Sequence, residues 1–118
     1  MNDSTQTLVI LIDDLIFETM IRGAARASGW RIECAATTAR LTKVVSDHSA
    51  TLVIVDLNIA PADPIAAIGS LRSLNPPPRI LAFVSHVDQD LAERARRAGA
   101  DEVLPRSRFT TELPQLLG

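Results

Sequence analysis

The chain of 118 residues has one cysteine, one lysine and no surplus of positive charge. Each shortage removes a class of protein. A lone Cys34 can neither close an intramolecular disulfide nor supply a cysteine metal motif. A net charge of −2 gives no electrostatic case for nucleic acid, whose binding needs a basic patch. No apolar run approaches the ~18 residues of a membrane span, and the polar start Met1–Gln6 has no basic stretch ahead of the first apolar run. Neither anchor nor signal peptide is expected, so the sequence reads as a cytoplasmic protein with no membrane and no nucleic-acid partner. The turn Asp13-Asp14-Leu15-Ile16 also lacks the glycines of a nucleotide- or flavin-binding loop.

Present instead is an alternation of apolar runs and amphipathic segments, in a chain that is 47% hydrophobic and 22% charged. That composition is ordinary for one globular domain with one continuous core, residues 1–118. Leu8–Ile12 and Thr51–Val55 are continuous β-rich runs, as strands covered on both faces require. Trp30–Ala35, Arg79–Val84 and the short Glu102–Leu104 are the other expected strands. Between them, helical spacing is carried by Phe17, Ile21, Ala24 and Ser28 before Gly29, by Leu41, Val44 and Val45, and by Ile65, Ile68 and Leu71. Asp63-Pro64 and Asp88 are helix starts, Gly99 is a stop, and Phe109–Leu117 is a short last helix with Pro114 inside its range. Five strands alternating with five helices predict an α/β fold: a doubly wound five-stranded parallel sheet with helices on both faces. Nothing in the sequence up to Gly118 encodes an output domain. Cys34, inside an apolar stretch, is expected to be a buried thiol, and Phe17, Trp30 and Phe83 are expected to pack the core or its rim.

The chemistry gathers at strand ends. Asp56 closes the third apolar run, Asp13 and Asp14 close the first, Ser85 follows the fourth and Arg106 the fifth. In open α/β sheets the carboxyl ends of the strands are where ligands bind. Two or three carboxylates there can hold one Mg²⁺-sized ion that keeps several waters and leaves positions for phosphate oxygens. An aspartate able to attack phosphorus forms an acyl phosphate, and donors such as Ser85 and Arg106 would then offset charge on the equatorial oxygens. His86, a lone histidine at a loop start, is expected to be structural.

These residues resemble the receiver domain of response regulators over essentially the whole chain. The resemblance is carried by Val9-Ile10-Leu11-Ile12-Asp13-Asp14, by Leu52-Val53-Ile54-Val55-Asp56-Leu57-Asn58, by Ser85 after Leu81-Ala82-Phe83-Val84, and by Ala98-Gly99-Ala100-Asp101-Glu102-Val103-Leu104-Pro105. It implies the flavodoxin-like strand order 2-1-3-4-5. It implies that Asp56 accepts a phosphoryl group from a histidine kinase or phosphotransfer protein. Mg²⁺ would bind to Asp13, Asp14, Asp56 and the backbone carbonyl of Asn58, while Ser85 would hydrogen-bond the phosphoryl group. Output would pass to a downstream protein partner, and a homodimer through the fourth helix, fifth strand and fifth helix is open. Enzymatic activity would be limited to autophosphorylation and autodephosphorylation of Asp56.

Four departures stand beside the matches. Arg106 occupies the position where receivers carry lysine, and a planar, forked guanidinium is not a point charge. Val103 stands where many receivers have an aromatic that rotates inward on activation. The interval from Asp13-Asp14 to Gly29-Trp30 is about one residue short of the family's. A shift of one would leave only Asp13 or only Asp14 to reach the cation. Pro61 is followed by Ala62 rather than glycine. These departures define a second reading, a pseudo-receiver that keeps the fold as a binding module without a phosphate switch. An aspartate-nucleophile phosphatase is disfavoured, because the position two beyond Asp56 is Asn58 rather than an acid, and no cap insertion is present.

Overall fold

The computed structural model describes residues 6–35, 37–59, 63–85 and 88–118. The elements run β1 (Thr7–Leu11), α1 (Leu15–Ala27), β2 (Arg31–Ala35), α2 (Thr38–His48), β3 (Leu52–Asp56), α3 (Pro64–Arg72), β4 (Arg79–Val84), α4 (Gln89–Ala98), β5 (Glu102–Pro105) and α5 (Arg106–Leu117). The strands form one parallel sheet in the order β2-β1-β3-β4-β5. Fold class and strand order are those expected from the sequence.

Period-two alternation divides the core between the two faces of the sheet. Val9, Leu11, Val53, Val55, Ile80, Ala82 and Val84 pack with Leu41, Val45, Ile68 and Leu71, beneath α2, α3 and α4. Leu8, Ile10, Leu52, Ile54, Leu81 and Phe83 pack with Phe17, Ile21, Phe109 and Leu113, beneath α1 and α5. Every residue of β1 and β3 is buried, which is why those two runs were continuous in the sequence rather than alternating. On the α1–α5 side Phe17, Phe83 and Phe109 form an aromatic cluster, with centroids 4.8 Å apart for Phe17–Phe83 and 5.0 Å for Phe83–Phe109. Trp30 lies at the rim of that layer, its Nε1 donating to the Leu117 carbonyl at 2.7 Å and tying the end of α5 to the start of β2.

Helix starts follow the expected capping chemistry. Asp14, Thr37, Asp63 and Asp88 each accept a backbone N–H three residues on, and Pro64 sits in the first turn of α3. Gly99 ends α4 at φ +128°, in the region that favours glycine, and a Cβ there would meet the Arg72 side chain.

Several local expectations are corrected. The buried residues of α1 are Phe17, Ile21 and Ala25, with Met20 and Ala24 partly buried against the same cluster, whereas Ser28 is exposed as the residue that ends the helix. β3 includes Asp56 itself as its last residue. α5 begins at Arg106, three residues before the expected Phe109, and its first turn is polar because it borders the sheet edge and solvent. Cys34 is exposed, not buried. β2 is an edge strand whose outer residues are only partly covered, and the thiol lies against Arg22 and Glu18 of α1. Partial shielding of the sulfur from water against α1 pushes the Cys34 thiol pKa up, with Arg22 opposing the shift. His86, Pro61 and Ala62 lie outside the described residues.

The aromatic cluster joins α5 to the sheet, so its loss should be felt globally. Phe109→Ala empties a fully buried site and should cost roughly 3–5 kcal/mol. The measurement is a lowered urea midpoint with an unchanged slope.

Candidate functional site

The site follows from register. Leu11 of β1 lies opposite Val55 of β3, and Asp56 lies opposite Phe83 of β4. Asp13 and Asp14 therefore leave β1 just beyond the level at which Asp56 ends β3, and Ser85 leaves β4 two residues past Phe83. Arg106, the first residue of α5, comes from the far side of the same edge. By strand parity Asp56 shares a face with Ile54, on the α1–α5 side of the sheet.

Asp56 is buried, at 6% exposure. Its Oδ1 accepts the Asn58 backbone N–H at 2.8 Å, an Asx turn that fixes the carboxylate's orientation. Among the described residues no hydrogen bond reaches Oδ2. Burial pushes the Asp56 pKa up, the Asp13 and Asp14 charges push the same way, and the Asn58 N–H and the more distant Arg106 oppose. The Asn58 side chain also contributes, its Oδ1 accepting the Ser85 N–H at 2.7 Å. That bond ties the loop after Asp56 to the end of β4.

Asp14 is committed elsewhere. Its Oδ1 accepts the Phe17 N–H at 3.0 Å, capping α1, and its Oδ2 accepts Arg106 Nη2 at 2.6 Å. The Arg106 hydrogen bond first, and the Phe17 N–H next, hold the Asp14 carboxyl below its ordinary range. Arg106 is also seated over the Phe17 ring, with Cζ 4.2 Å from the centroid. Asp13 is exposed at the lip. Beside it stand Leu15 and Ile16, which at 73% and 84% are the most exposed large apolar side chains among the described residues.

Asp13, Asp14, Asp56, Asn58, Ser85 and Arg106 are thus brought to one edge. Among the described residues, however, no group of three or more His, Cys, Asp and Glu side chains is placed to hold a metal ion as it stands. The donor chemistry nonetheless fits a hard divalent cation, being all oxygen and carrying a surplus of negative charge felt at Asp56. One of those oxygens, Asp14 Oδ2, is held by Arg106. Two features escaped sequence reasoning: the seat of Arg106 on Phe17, and the Asn58 side-chain bond to Ser85. Asp56 itself, an aspartate opening a loop, was the available signal for the Asx turn, to which Asn58 gives only its backbone N–H. Nothing local marks a partnership between residues 14 and 106. On the other face, a cleft of about 150 Å³ lies between α4 and β5, lined by Val84, Ala92, Val103 and Pro105 among others.

Residues 9–117 match the family described as the response regulator receiver domain, and the chain belongs to that family. It is a receiver domain of the two-component response-regulator kind. Solved structures share its fold. A putative response regulator from Chloroflexus aurantiacus J-10-fl superposes with a TM-score of 0.85 at 20% identity, over 97% of this chain and 95% of that one. The chemotaxis response regulator CheY4 of Vibrio cholerae gives 0.83 at 15% identity, over 97% of each chain. A LuxR-family two-component response regulator from Aurantimonas sp. SI85-9A1 gives 0.80 at 26% identity, over 95% of this chain and 81% of that one. A search of curated proteins finds no match. No helix among the described residues is long and apolar enough to cross a membrane.

The raised pKa of Asp56 has a stability consequence with a definite sign. Protons bind the folded state more readily than the unfolded one between the ordinary aspartate value of 3.8 and the raised value, so stability falls as pH rises through that window. Asp56→Asn removes the charge and keeps an oxygen for the Asn58 N–H. At neutral pH it should raise Tm by on the order of a few degrees, and the gain should shrink as pH falls through the window. Thermal melts of both proteins across that range measure it.

Proposed function

We propose that this receiver accepts a phosphoryl group on Asp56 from a phosphohistidine of a histidine kinase or phosphotransfer protein, and conveys its state by protein–protein contact. One observation carries the reading: a buried carboxylate at a strand end, with Oδ1 fixed by the Asn58 N–H and, among the described residues, no hydrogen bond to Oδ2. Oδ2 is then the attacking atom. A bond forms from it to phosphorus, the P–N bond to the donor imidazole breaks, and the electron pair returns to that ring. Asp13, Asp56 and the Asn58 carbonyl would hold Mg²⁺, with Asp14 joining through Oδ2. When bound, the ion would supply charge neutralisation for the phosphoryl oxygens. Ser85, tied through its N–H to Asn58, would present its hydroxyl to the phosphoryl group. Arg106 would offset charge from the β5 side. Leu15 and Ile16, exposed beside Asp13, support a protein donor that covers the lip. The α4–β5–α5 face remains the surface for a homodimer or a downstream partner.

The second reading, a pseudo-receiver, is favoured by one contact. Arg106 is paired with Asp14 and stacked on Phe17, not turned to Asp56. A small phosphodonor separates the two readings because it needs no docking partner. Incubation with acetyl phosphate and Mg²⁺ should add the mass of one phosphoryl group, and Asp56→Asn should abolish the addition. Inertness of the wild-type chain toward several donors at saturating Mg²⁺ would assign it to the pseudo-receivers.

A further inference from the structure

We infer that Phe17 is a seat that holds Arg106 as a resident cation on Asp14, so that Arg106 and a divalent ion compete for Asp14 Oδ2. The inference rests on the metal reading above and goes further, because it makes metal occupancy and the position of Arg106 mutually exclusive.

The two oxygens of Asp14 are not equivalent. Oδ1 already caps the first turn of α1 through the Phe17 N–H, so Oδ2 is the oxygen a ligand can take without crowding the cap. Oδ2 is where the Arg106 Nη2 sits, at 2.6 Å. A guanidinium suits this place in a way an ammonium does not. Its Cζ lies over the Phe17 ring while Nη2 donates to the carboxylate, so both contacts are made at once.

The seat itself is rigid. Phe17 is 5% exposed, and its ring is wedged against Phe83 and Phe109 at centroid distances of 4.8 and 5.9 Å. Arg106 in turn starts α5, whose Phe109 is fully buried in the same cluster. Both ends of the contact are therefore anchored in the core, and only the arginine side chain has to move. Its side chain and that of Asp14 are each about one-third exposed, at 36% and 35%, so the pair is open to exchange.

A doubly charged, oxygen-seeking ion at short range outcompetes a guanidinium for a carboxylate once its concentration suffices. Arg106 then leaves Oδ2 and is released on the side of the site that Asp56 faces. With no ion present the guanidinium returns to Asp14 and offsets part of the acidic surplus around Asp56. Phe17 is accordingly a positioning residue. It touches no substrate and acts by setting where Arg106 rests.

Calorimetric Mg²⁺ titration of wild type, Arg106→Lys and Arg106→Ala, together with the Nε–Hε NMR signal of Arg106, tests this. Arg106→Lys keeps the charge but loses the fork and the stacking. It should bind Mg²⁺ about 5-fold or more tighter than wild type, the lower range of usual couplings between ligands. In wild type the Arg106 signal, shifted by the Phe17 ring current, should move toward its solvent position with the same midpoint as Mg²⁺ binding. Phe17→Leu, which keeps the arginine but removes its seat, should tighten Mg²⁺ binding in the same direction. If that variant is too unstable to study, the lysine variant carries the test. Equal affinity of wild type and Arg106→Lys, with only Arg106→Ala tighter, would show a simple charge effect and overturn the inference. So would saturating Mg²⁺ that leaves the Arg106 signal unmoved. Mg²⁺ that binds none of the proteins removes the metal reading itself, and the competition with it.

Discussion

A carboxylate held out of water at the edge of a parallel sheet is the constraint around which this molecule is arranged. Asp56 is 6% exposed and has two further acids close enough to push its pKa up. Leaving such a charge unsupported is costly, and the neighbouring groups divide the task of supporting it. The Asn58 N–H satisfies one oxygen, and the Asn58 side chain holds the loop to Ser85. Arg106 takes up the charge of Asp14 rather than that of Asp56. The arginine binds a neighbouring carboxylate and acts on Asp56 only through its charge, and among the described residues no hydrogen bond reaches Asp56 Oδ2.

The placement of these groups depends on packing some distance from the chemistry. Arg106 reaches Asp14 because α5 starts immediately after β5 and is fixed by Phe109 inside the aromatic cluster. Asp14 stays in reach because it caps α1, whose Phe17 belongs to the same cluster. At the other end of α5, Trp30 bonds the Leu117 carbonyl. The α1–α5 layer is thus the rigid side of the site, and the acid pair is presented by the helix that layer holds.

How much of this could be read from the sequence follows from the range of each interaction. Strands β1 and β3 are covered on both faces and so appear as unbroken apolar runs, which also located Asp13, Asp14 and Asp56 at their ends. The helix caps are three-residue patterns and were equally legible. Cys34 was misplaced because an apolar stretch does not reveal that its strand lies at a sheet edge, where burial alternates and is incomplete. The start of α5 was missed because Arg106-Ser107-Arg108 carries no apolar periodicity until Phe109. The pairing of Asp14 with Arg106 spans 92 residues, and only the assembled sheet brings the two together.

Strand parity separates two departures that otherwise read as one loss. Val103 faces the α4 side with Ala82 and Val84, opposite to the face that Asp56 shares with Ile54 and Phe83. Val103 lines the cleft between α4 and β5, on the face of the sheet away from Asp56. Arg106 is the reverse, since its partners are Asp14 and Phe17 and its contacts run into α1. The substitution at 103 therefore bears on which surface a partner meets, while the arginine at 106 bears on whether an ion and a phosphoryl group can be accommodated. The two can vary independently. A receiver that lacks the inward-turning aromatic is not for that reason one that has lost its chemistry.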